Sequence, residues 1–444
     1  MKQNFFDNYK VDSLLLIFFF ILPSLLYANG YIQSYSAASI IVIFFYLLIF
    51  TLIREKKKIN IKFLSLSILI SIIIYIHQIF VTFLIDSNFS NKNTQIQEKI
   101  FISYLSIIIF FYSIFFFNKL LIKKKFNQIY FYKLMKILFL IMFILSFFIL
   151  LRFNKFFFYY TYDTNNLPIF LNLFLEPSHF ITGFFSIYFL FLIFNPRYKV
   201  IFLTIGLFLS LMLPSLTFLC GIFLIVLLFY SILRVVLFII PLIIFFIFFL
   251  YNFNIELLNY FYSRINFIEA INNCSSYFVL NSKINYDQIS TKICNINFSL
   301  LYYFKSIHEM YLNLVNYPFG VGFQNFGAIG MESLFRKVIT LRSGSFGADS
   351  SLISSFLLSK LISEFGVFGI IFIFYYFKFF IESFIFFKFR HNLFLIQKKY
   401  LEIFYHISIL SFSIEIFVRG FGYFTIGSFL FILSVLGLKY KKQI

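Results

Sequence analysis

Long apolar runs constrain this chain more than any other feature of its sequence. Of the 444 residues, 61% are hydrophobic and only 12% are charged, and the mean hydropathy is +0.93. This composition excludes a water-soluble domain. Because a helix needs about 20 apolar residues to cross a bilayer, the runs predict an all-α polytopic integral membrane protein with about twelve transmembrane helices. The predicted spans are 12–28, 35–53, 61–85, 100–118, 131–151, 177–195, 200–213, 216–233, 235–251, 351–377, 401–418 and 423–438.

The positions of the basic residues predict the orientation of these spans. Lysines and arginines cluster in alternate gaps, as cytoplasmic loops require. These clusters are Arg54 to Lys58, Lys119 to Lys125, Arg197 with Lys199, Arg234, Lys388 to Lys399 and Lys439 to Lys442. Both termini are therefore predicted in the cytoplasm. The same rule accounts for the net charge of +20 without a nucleic-acid partner, because the aromatic residues lie mostly inside the apolar runs.

One gap between spans is far longer than the others. The predicted organisation is transmembrane helices 1–9 over residues 1–251, a large periplasmic loop over 252–350 and helices 10–12 over 351–444. Pro214 interrupts the apolar stretch 200–233, which predicts a tight hairpin of two short helices. A loop as long as 252–350 usually carries function. It contains the Pro- and Gly-rich segment 316–327, whose backbone amides could approach a ligand or could simply form a structural turn.

Several arginines lie where they could meet an anionic substrate. Arg264, Arg336 and Arg342 fall in the predicted periplasmic loop, where guanidinium groups could pair with a diphosphate or with lipid headgroups. Arg419 lies in a gap too short for an ordinary solvent loop. A charge at that depth points to function, and the alternative is a structural salt bridge to Glu415, one helical turn earlier.

Acidic residues and a histidine supply candidates for proton transfer. Glu176 and His179 flank Pro177 at the start of the sixth span, where they could form an acid/base pair or merely cap a helix. Glu364 lies inside the predicted tenth span, either as a buried partner of an arginine or beside a water-filled cavity. Gly366 and Gly369, three residues apart, would permit close helix contact. The sequence contains no recognisable metal-ligand cluster.

The cysteines leave one question open. Cys220 sits in an apolar run, where packing is its expected role. Cys274 and Cys294 both fall in the predicted periplasmic loop, where a disulfide is chemically allowed. Two paired cysteines and two free thiols are equally compatible with the sequence.

Four short motifs, taken together and in this order, resemble the O-antigen polymerase (Wzy-type) family, which is related to the O-antigen ligases. They are Glu176–His179, Pro318–Gly322, Glu364–Gly369 and Arg419–Tyr423. The resemblance implies a glycosyltransferase of the bacterial inner membrane that joins undecaprenyl-diphosphate-linked repeat units on the periplasmic face. It implies no metal, no nucleotide sugar and no other cofactor. It also implies a chain-length regulator as a partner protein, beside the membrane lipid and the lipid-linked oligosaccharide.

The resemblance also implies roles for individual residues. Arg264, Arg336, Arg342 and Arg419 become contacts for the diphosphate or the glycan, and Arg336 precedes Gly347 by a spacing described for the family. Asp349, Glu176 and His179 compete for the role of base, whereas Glu364, Gly320 and Gly322 become structural.

Two other functions compete with the polymerase. The related ligases carry a His-Asn pair where this sequence has Ala348–Ser351, which favours the polymerase over an O-antigen ligase that transfers glycan to the lipid A core. A flippase for lipid-linked oligosaccharides should have short outer loops and charges along a central cavity, and the sequence shows neither.

Overall fold

The structure is a computed structural model of the whole chain. It describes residues 9–32, 34–49, 60–85, 94–123, 128–153, 177–212, 216–230, 298–326, 335–336, 339, 354–389, 399–420 and 422–441. All regular structure in these residues is helical, as the sequence predicts. The helices are α1 (Tyr9–Ala28), α2 (Tyr35–Leu48), α3 (Ile61–Leu84), α4 (Thr94–Lys123), α5 (Gln128–Phe153), α6 (Pro177–Phe194), α7 (Lys199–Met212), α8 (Leu216–Phe229), α9 (Phe298–Asn316), α10 (Leu357–Phe365), α11 (Val367–Phe389), α12 (Tyr400–Phe417) and α13 (Ile426–Lys441).

The chain forms two compact units. The first comprises Met1–Phe80, Ser90–Phe229 and Phe372–Ile444, and the second comprises Val81–Phe89 and Tyr230–Ile371. In the first unit α6 is the most enclosed helix, with α5, α8 and α12 packed around it. Its side chains from Phe184 to Leu190 are apolar apart from Ser186 and are all buried. A helix that is apolar on every side is stable only when it is surrounded by other helices or lipid.

Four described helical segments are long and apolar enough to cross a membrane, and five are if one bent pair counts as a single span. The four are Ile61–Leu84, Phe101–Leu121, Val367–Phe389 and Tyr400–Phe417. The protein is therefore a multi-pass α-helical membrane protein. Shorter apolar helical segments are Phe18–Ala28 within α1, Tyr35–Leu48, Thr217–Phe229 and Ile426–Tyr440. A total of about twelve spans remains a prediction, and the predicted ninth span, 235–251, lies outside the described residues.

The bent pair is α6 and α7, which meet at 104° around Asn195 and Pro196. Pro196 opens a short 3-10 turn, which prevents one continuous helix. Beyond the bend, α7 and α8 pack against each other on either side of Pro214, which itself lies outside the described residues. Gly206 permits this packing, since a Cβ there would collide with Tyr188 of α6 and press on Ile222 of α8. Two packed helices agree with the predicted hairpin.

The predicted tenth span differs from the observed structure. The sequence predicts a single span over 351–377, but the structure has two helices, α10 and α11, that meet at Gly366. Gly366 has a φ of 55° and ends α10. With a ψ of −128°, this backbone conformation is not helical and favours glycine, so α10 stops there and the prediction of one unbroken helix was wrong.

Candidate functional site

A loop of the second unit fills the break between α10 and α11. We call residues Tyr317–Phe326 the glycine loop. The last carbonyls of α10 accept hydrogen bonds from this loop, Ser363 from the Val321 N–H at 2.9 Å and Glu364 from the Gly322 N–H at 3.0 Å. The Val367 N–H at the start of α11 donates to the carbonyl of Pro318, also at 2.9 Å. The loop thus satisfies backbone groups that both helix ends would otherwise leave unpaired.

This arrangement explains two of the glycines. Gly320 has a φ of 89°, and a Cβ there would collide with the carbonyl of Glu364. A Cβ at Gly366 would collide with the carbonyl of Pro318. Because only glycine avoids both the steric clash and the cost of a positive φ, the two backbones can approach each other only at these residues.

The Glu364 side chain fixes the second half of the glycine loop. Its fully buried carboxylate accepts hydrogen bonds from the backbone N–H groups of Gln324, at 2.8 Å, and Phe326, at 3.3 Å. Lys360 lies one turn earlier on α10, with its Nζ 3.8 Å from Glu364 Oε1 and 2.8 Å from Gln324 Oε1. Gln324 has a φ of 62°, unusual for a residue with a side chain. The carboxylate and the lysine together hold it in that conformation.

These contacts change two expectations from the sequence. The amides of Val321, Gly322, Gln324 and Phe326 are bound to α10, so they are not open to a ligand. Glu364 contacts a lysine and backbone amides among the described residues, whereas the sequence suggested an arginine or a water-filled cavity. The structure also brings together two motifs, Pro318–Gly322 and Glu364–Gly369, that are about 40 residues apart along the chain.

The buried side of α9 is polar. Lys305, Ser306, Glu309 and Asn313 follow one another at helical spacing, and each is at most 1% exposed. Ser306 ties this side of α9 to the segment before α10, since its Oγ accepts the Ser355 N–H at 3.0 Å. Charged side chains are rarely buried without a structural or functional reason.

Lys305 is at the centre of a charged cluster, which we define as Lys305, Glu309 and Arg336. Lys305 Nζ lies 3.3 Å from Glu309 Oε2 and 5.2 Å from the ring centroid of Phe326 at the end of the glycine loop. Arg336 is 8% exposed. Burial lowers the pKa of Lys305 to about 8; the Glu309 carboxylate opposes this shift, and the charge of Arg336 reinforces it. Two buried cations thus lie within electrostatic range of each other, beside the Glu309 carboxylate.

Such a cluster suits an anionic ligand. An arginine offers paired donors to phosphate oxygens, and a lysine adds a point charge. An anion beside Lys305 and Arg336 would lower the free energy of two like charges held in a poorly hydrated place. Within the described part of the chain, no three His, Cys, Asp or Glu side chains converge as a metal site.

Arg419 belongs to the first unit, directly after α12. It is half-buried, and its backbone N–H donates to the carbonyl of Ile414 at 2.9 Å. The Glu415 carboxylate, the alternative partner suggested for Arg419, contacts the next helix: Glu415 Oε2 accepts the Thr425 hydroxyl at 2.5 Å. Thr425 also caps α13, because its Oγ1 accepts the Ser428 N–H at 3.0 Å. Glu415 therefore stabilises the start of α13.

Most of the other predicted site residues lie outside the described part of the chain. The backbone of His179 lies in the first turn of α6, which begins at Pro177 as the sequence predicts, but its side chain lies outside the described part. Of the predicted arginines, Arg336 is buried in the charged cluster and Arg419 is half-buried. The residues outside the described part are Glu176, Arg264, Cys274, Cys294, Arg342 and Asp349.

Five residues of the observed site were not among the predicted site residues: Lys305, Glu309, Asn313, Gln324 and Lys360. A signal for the first three is present. They recur every four residues in an otherwise mainly apolar and aromatic segment, which places them on one side of a helix and makes Lys305 and Glu309 an i, i+4 ion pair. No such spacing marks Gln324 and Lys360, which meet through the fold.

Comparisons with known proteins give no relative. No family model matches this chain, and neither a curated protein nor a solved structure is significantly similar to it.

Proposed function

We propose that this multi-pass membrane protein is an O-antigen polymerase of the Wzy type. It would join undecaprenyl-diphosphate-linked repeat units on the periplasmic face of a bacterial inner membrane. The resemblance of the four motifs supplies the reaction, and the charge pattern along the sequence predicts that the loop 252–350, which contains the charged cluster, lies on the periplasmic side.

The observation that carries this proposal is the charged cluster of Lys305, Glu309 and Arg336. A transferase of this type must bind a lipid-linked diphosphate and release it as the leaving group. Buried cations stabilise developing negative charge most effectively when they are positioned in advance. Lys305 and Arg336 meet that requirement, with Glu309 holding Lys305 in place at 3.3 Å.

The reaction would proceed by transfer of a glycosyl group. The acceptor hydroxyl oxygen forms a bond to the anomeric carbon of the donor glycan, and the bond from that carbon to the diphosphate breaks. The diphosphate leaves with the electron pair, next to Lys305 and Arg336. A base takes the hydroxyl proton. Asp349, Glu176 and His179 stay the predicted candidates for that base, and Arg419, Arg342 and Arg264 stay predicted contacts of the donor.

The experiment is a lipopolysaccharide ladder from a deletion strain, with and without the complementing gene. A polymerase predicts core with a single repeat unit in the deletion and a full ladder on complementation. Bare core in the deletion would instead indicate an O-antigen ligase or a flippase. A ladder unchanged by the deletion would overturn the assignment to this pathway.

A further inference from the structure

Helix α9 has its polar side buried and its apolar side outward. Opposite the buried residues Lys305, Glu309 and Asn313, the outward side carries Ile307, Tyr311, Leu314 and Val315. Tyr311 is 61% exposed and Val315 is 60% exposed. A helix that lies against water has the opposite polarity, with its apolar stripe towards the core. The exposed stripe of α9 thus needs an apolar environment.

This stripe continues into a surface that faces lipid. Phe319, four residues after Val315, is 43% exposed, and the centroid of its ring lies 6.4 Å from that of Phe368. Phe368 and its neighbours Val367 and Ile371 are exposed at the start of α11, which is long and apolar enough to cross a membrane. The first residues of such a span are surrounded by lipid or by the headgroup region.

We infer that α9 lies in the bilayer interface, with Tyr311, Val315 and Phe319 inserted among the lipids and its charged side turned into the protein. The occupant of this face is the bilayer itself, because the stripe is continuous with the lipid-facing start of α11. Interfacial helices bury their apolar side about 5–10 Å into the boundary between headgroups and acyl chains. Tyrosine suits that depth, since its ring is apolar and its hydroxyl remains hydrated. The inference does not depend on the proposed reaction.

A consequence concerns the charged cluster. A helix about 10 Å wide, with one side in the headgroup boundary, would carry Lys305 and Glu309 close to the level of lipid phosphates. A substrate anchored by a polyprenyl chain presents its diphosphate at that level. The interfacial position of α9 would therefore suit the proposed donor, although it would hold for any membrane protein with this surface.

The chain contains no tryptophan, so a single introduced tryptophan reports on its own position. Full-length Val315→Trp, reconstituted in phosphatidylcholine vesicles, would be quenched by lipids brominated at shallow or deep acyl positions. Asn316→Trp is the matched control. It is also exposed but lies about 100° further round α9, towards the polar side. Phe374→Trp, on the exposed side of α11, supplies the reference for a position inside the bilayer.

If α9 is inserted in the interface, lipids brominated at shallow positions should quench the fluorescence of Val315→Trp at least about twice as strongly as that of Asn316→Trp. Lipids brominated at deep positions should be the stronger quenchers only for Phe374→Trp. Tyr311→Trp, a milder replacement, should behave as Val315→Trp does and guards against misfolding of one variant. Equal lipid quenching of positions 315 and 316, or quenching of Val315→Trp and Tyr311→Trp by aqueous iodide alone, would overturn the inference.

Discussion

The Glu364 carboxylate accepts the backbone N–H of Gln324 at 2.8 Å, which joins the end of α10 to a loop 40 residues earlier in the chain. The same carboxylate accepts the Phe326 N–H, and the Phe326 ring lies under Lys305. A single buried acid therefore connects the break between α10 and α11 with the charged cluster. The conformation of the glycine loop and the position of the cluster should be sensitive to that acid.

Glu364→Gln tests this connection. The amide retains one acceptor but loses the charge that strengthens both backbone hydrogen bonds and pairs with Lys360, so we expect a loss of about 1.5–3 kcal/mol in stability. Thermal unfolding in detergent, followed by the loss of monodisperse protein, measures it. Glu382→Gln on α11 is the control, since it makes the same chemical change at a half-buried site. Similar stability losses for the two variants would argue against a special role for Glu364.

Gly366→Ala tests the close approach of two backbones. The alanine Cβ would collide with the carbonyl of Pro318, and the φ of 55° is unfavourable for alanine. The free energy of unfolding should therefore fall by more than about 3 kcal/mol. Gly30→Ala is a matched control with a φ of 72° and open space around the Cβ. Gly30→Ala should be destabilised only by the unfavourable backbone conformation of alanine, by about 1–2 kcal/mol. The same thermal assay compares them, and an equal shift in both would contradict the described packing at Gly366.

The sequence identified some of these features and missed others for physical reasons. Apolar runs fix where helices form, so most observed helices overlap predicted spans, and Pro177 correctly marked the start of α6. The break at Gly366 was not predicted because hydropathy describes side-chain polarity and carries no information about backbone conformation. The partners of Glu364 were missed because they are backbone amides of a distant loop. Lys305 and Glu309 were visible as an i, i+4 pair, but an amphipathic helix alone does not reveal that its polar side is the buried one.

Thr425 offers a test in the first unit. Thr425→Ala removes both the hydrogen bond to Glu415 and the cap of α13, which should cost about 1–2 kcal/mol. Thr425→Ser keeps the hydroxyl and should recover most of this stability. Thermal unfolding in detergent compares the stability of the two variants with that of the wild-type protein. A serine variant as unstable as the alanine variant would show that the methyl group, rather than the hydroxyl, matters at this position.

The pH dependence of polymerisation should reflect Lys305. Its pKa of about 8 means that the cation is present below that pH and is lost as the pH rises through it. If the cation stabilises the departing diphosphate, polymerisation by membranes supplied with lipid-linked repeat units should slow above pH 8. The arginine of Lys305→Arg stays charged above pH 8. At pH 9 this variant should therefore retain a larger fraction of its own maximal rate than the wild-type protein does. Identical pH profiles for the two proteins would exclude Lys305 as the titrating group.

The most direct test of the account is complementation of the deletion strain with Lys305→Met, at membrane levels matched to the wild-type protein. Lys119→Met is the control, because Lys119 is a half-buried lysine of the first unit with its Nζ 5.0 Å from the ring centroid of Phe63. We predict that wild type and Lys119→Met restore the lipopolysaccharide ladder, whereas Lys305→Met leaves core with a single repeat unit. A full ladder from Lys305→Met would contradict the assignment of the charged cluster to the reaction.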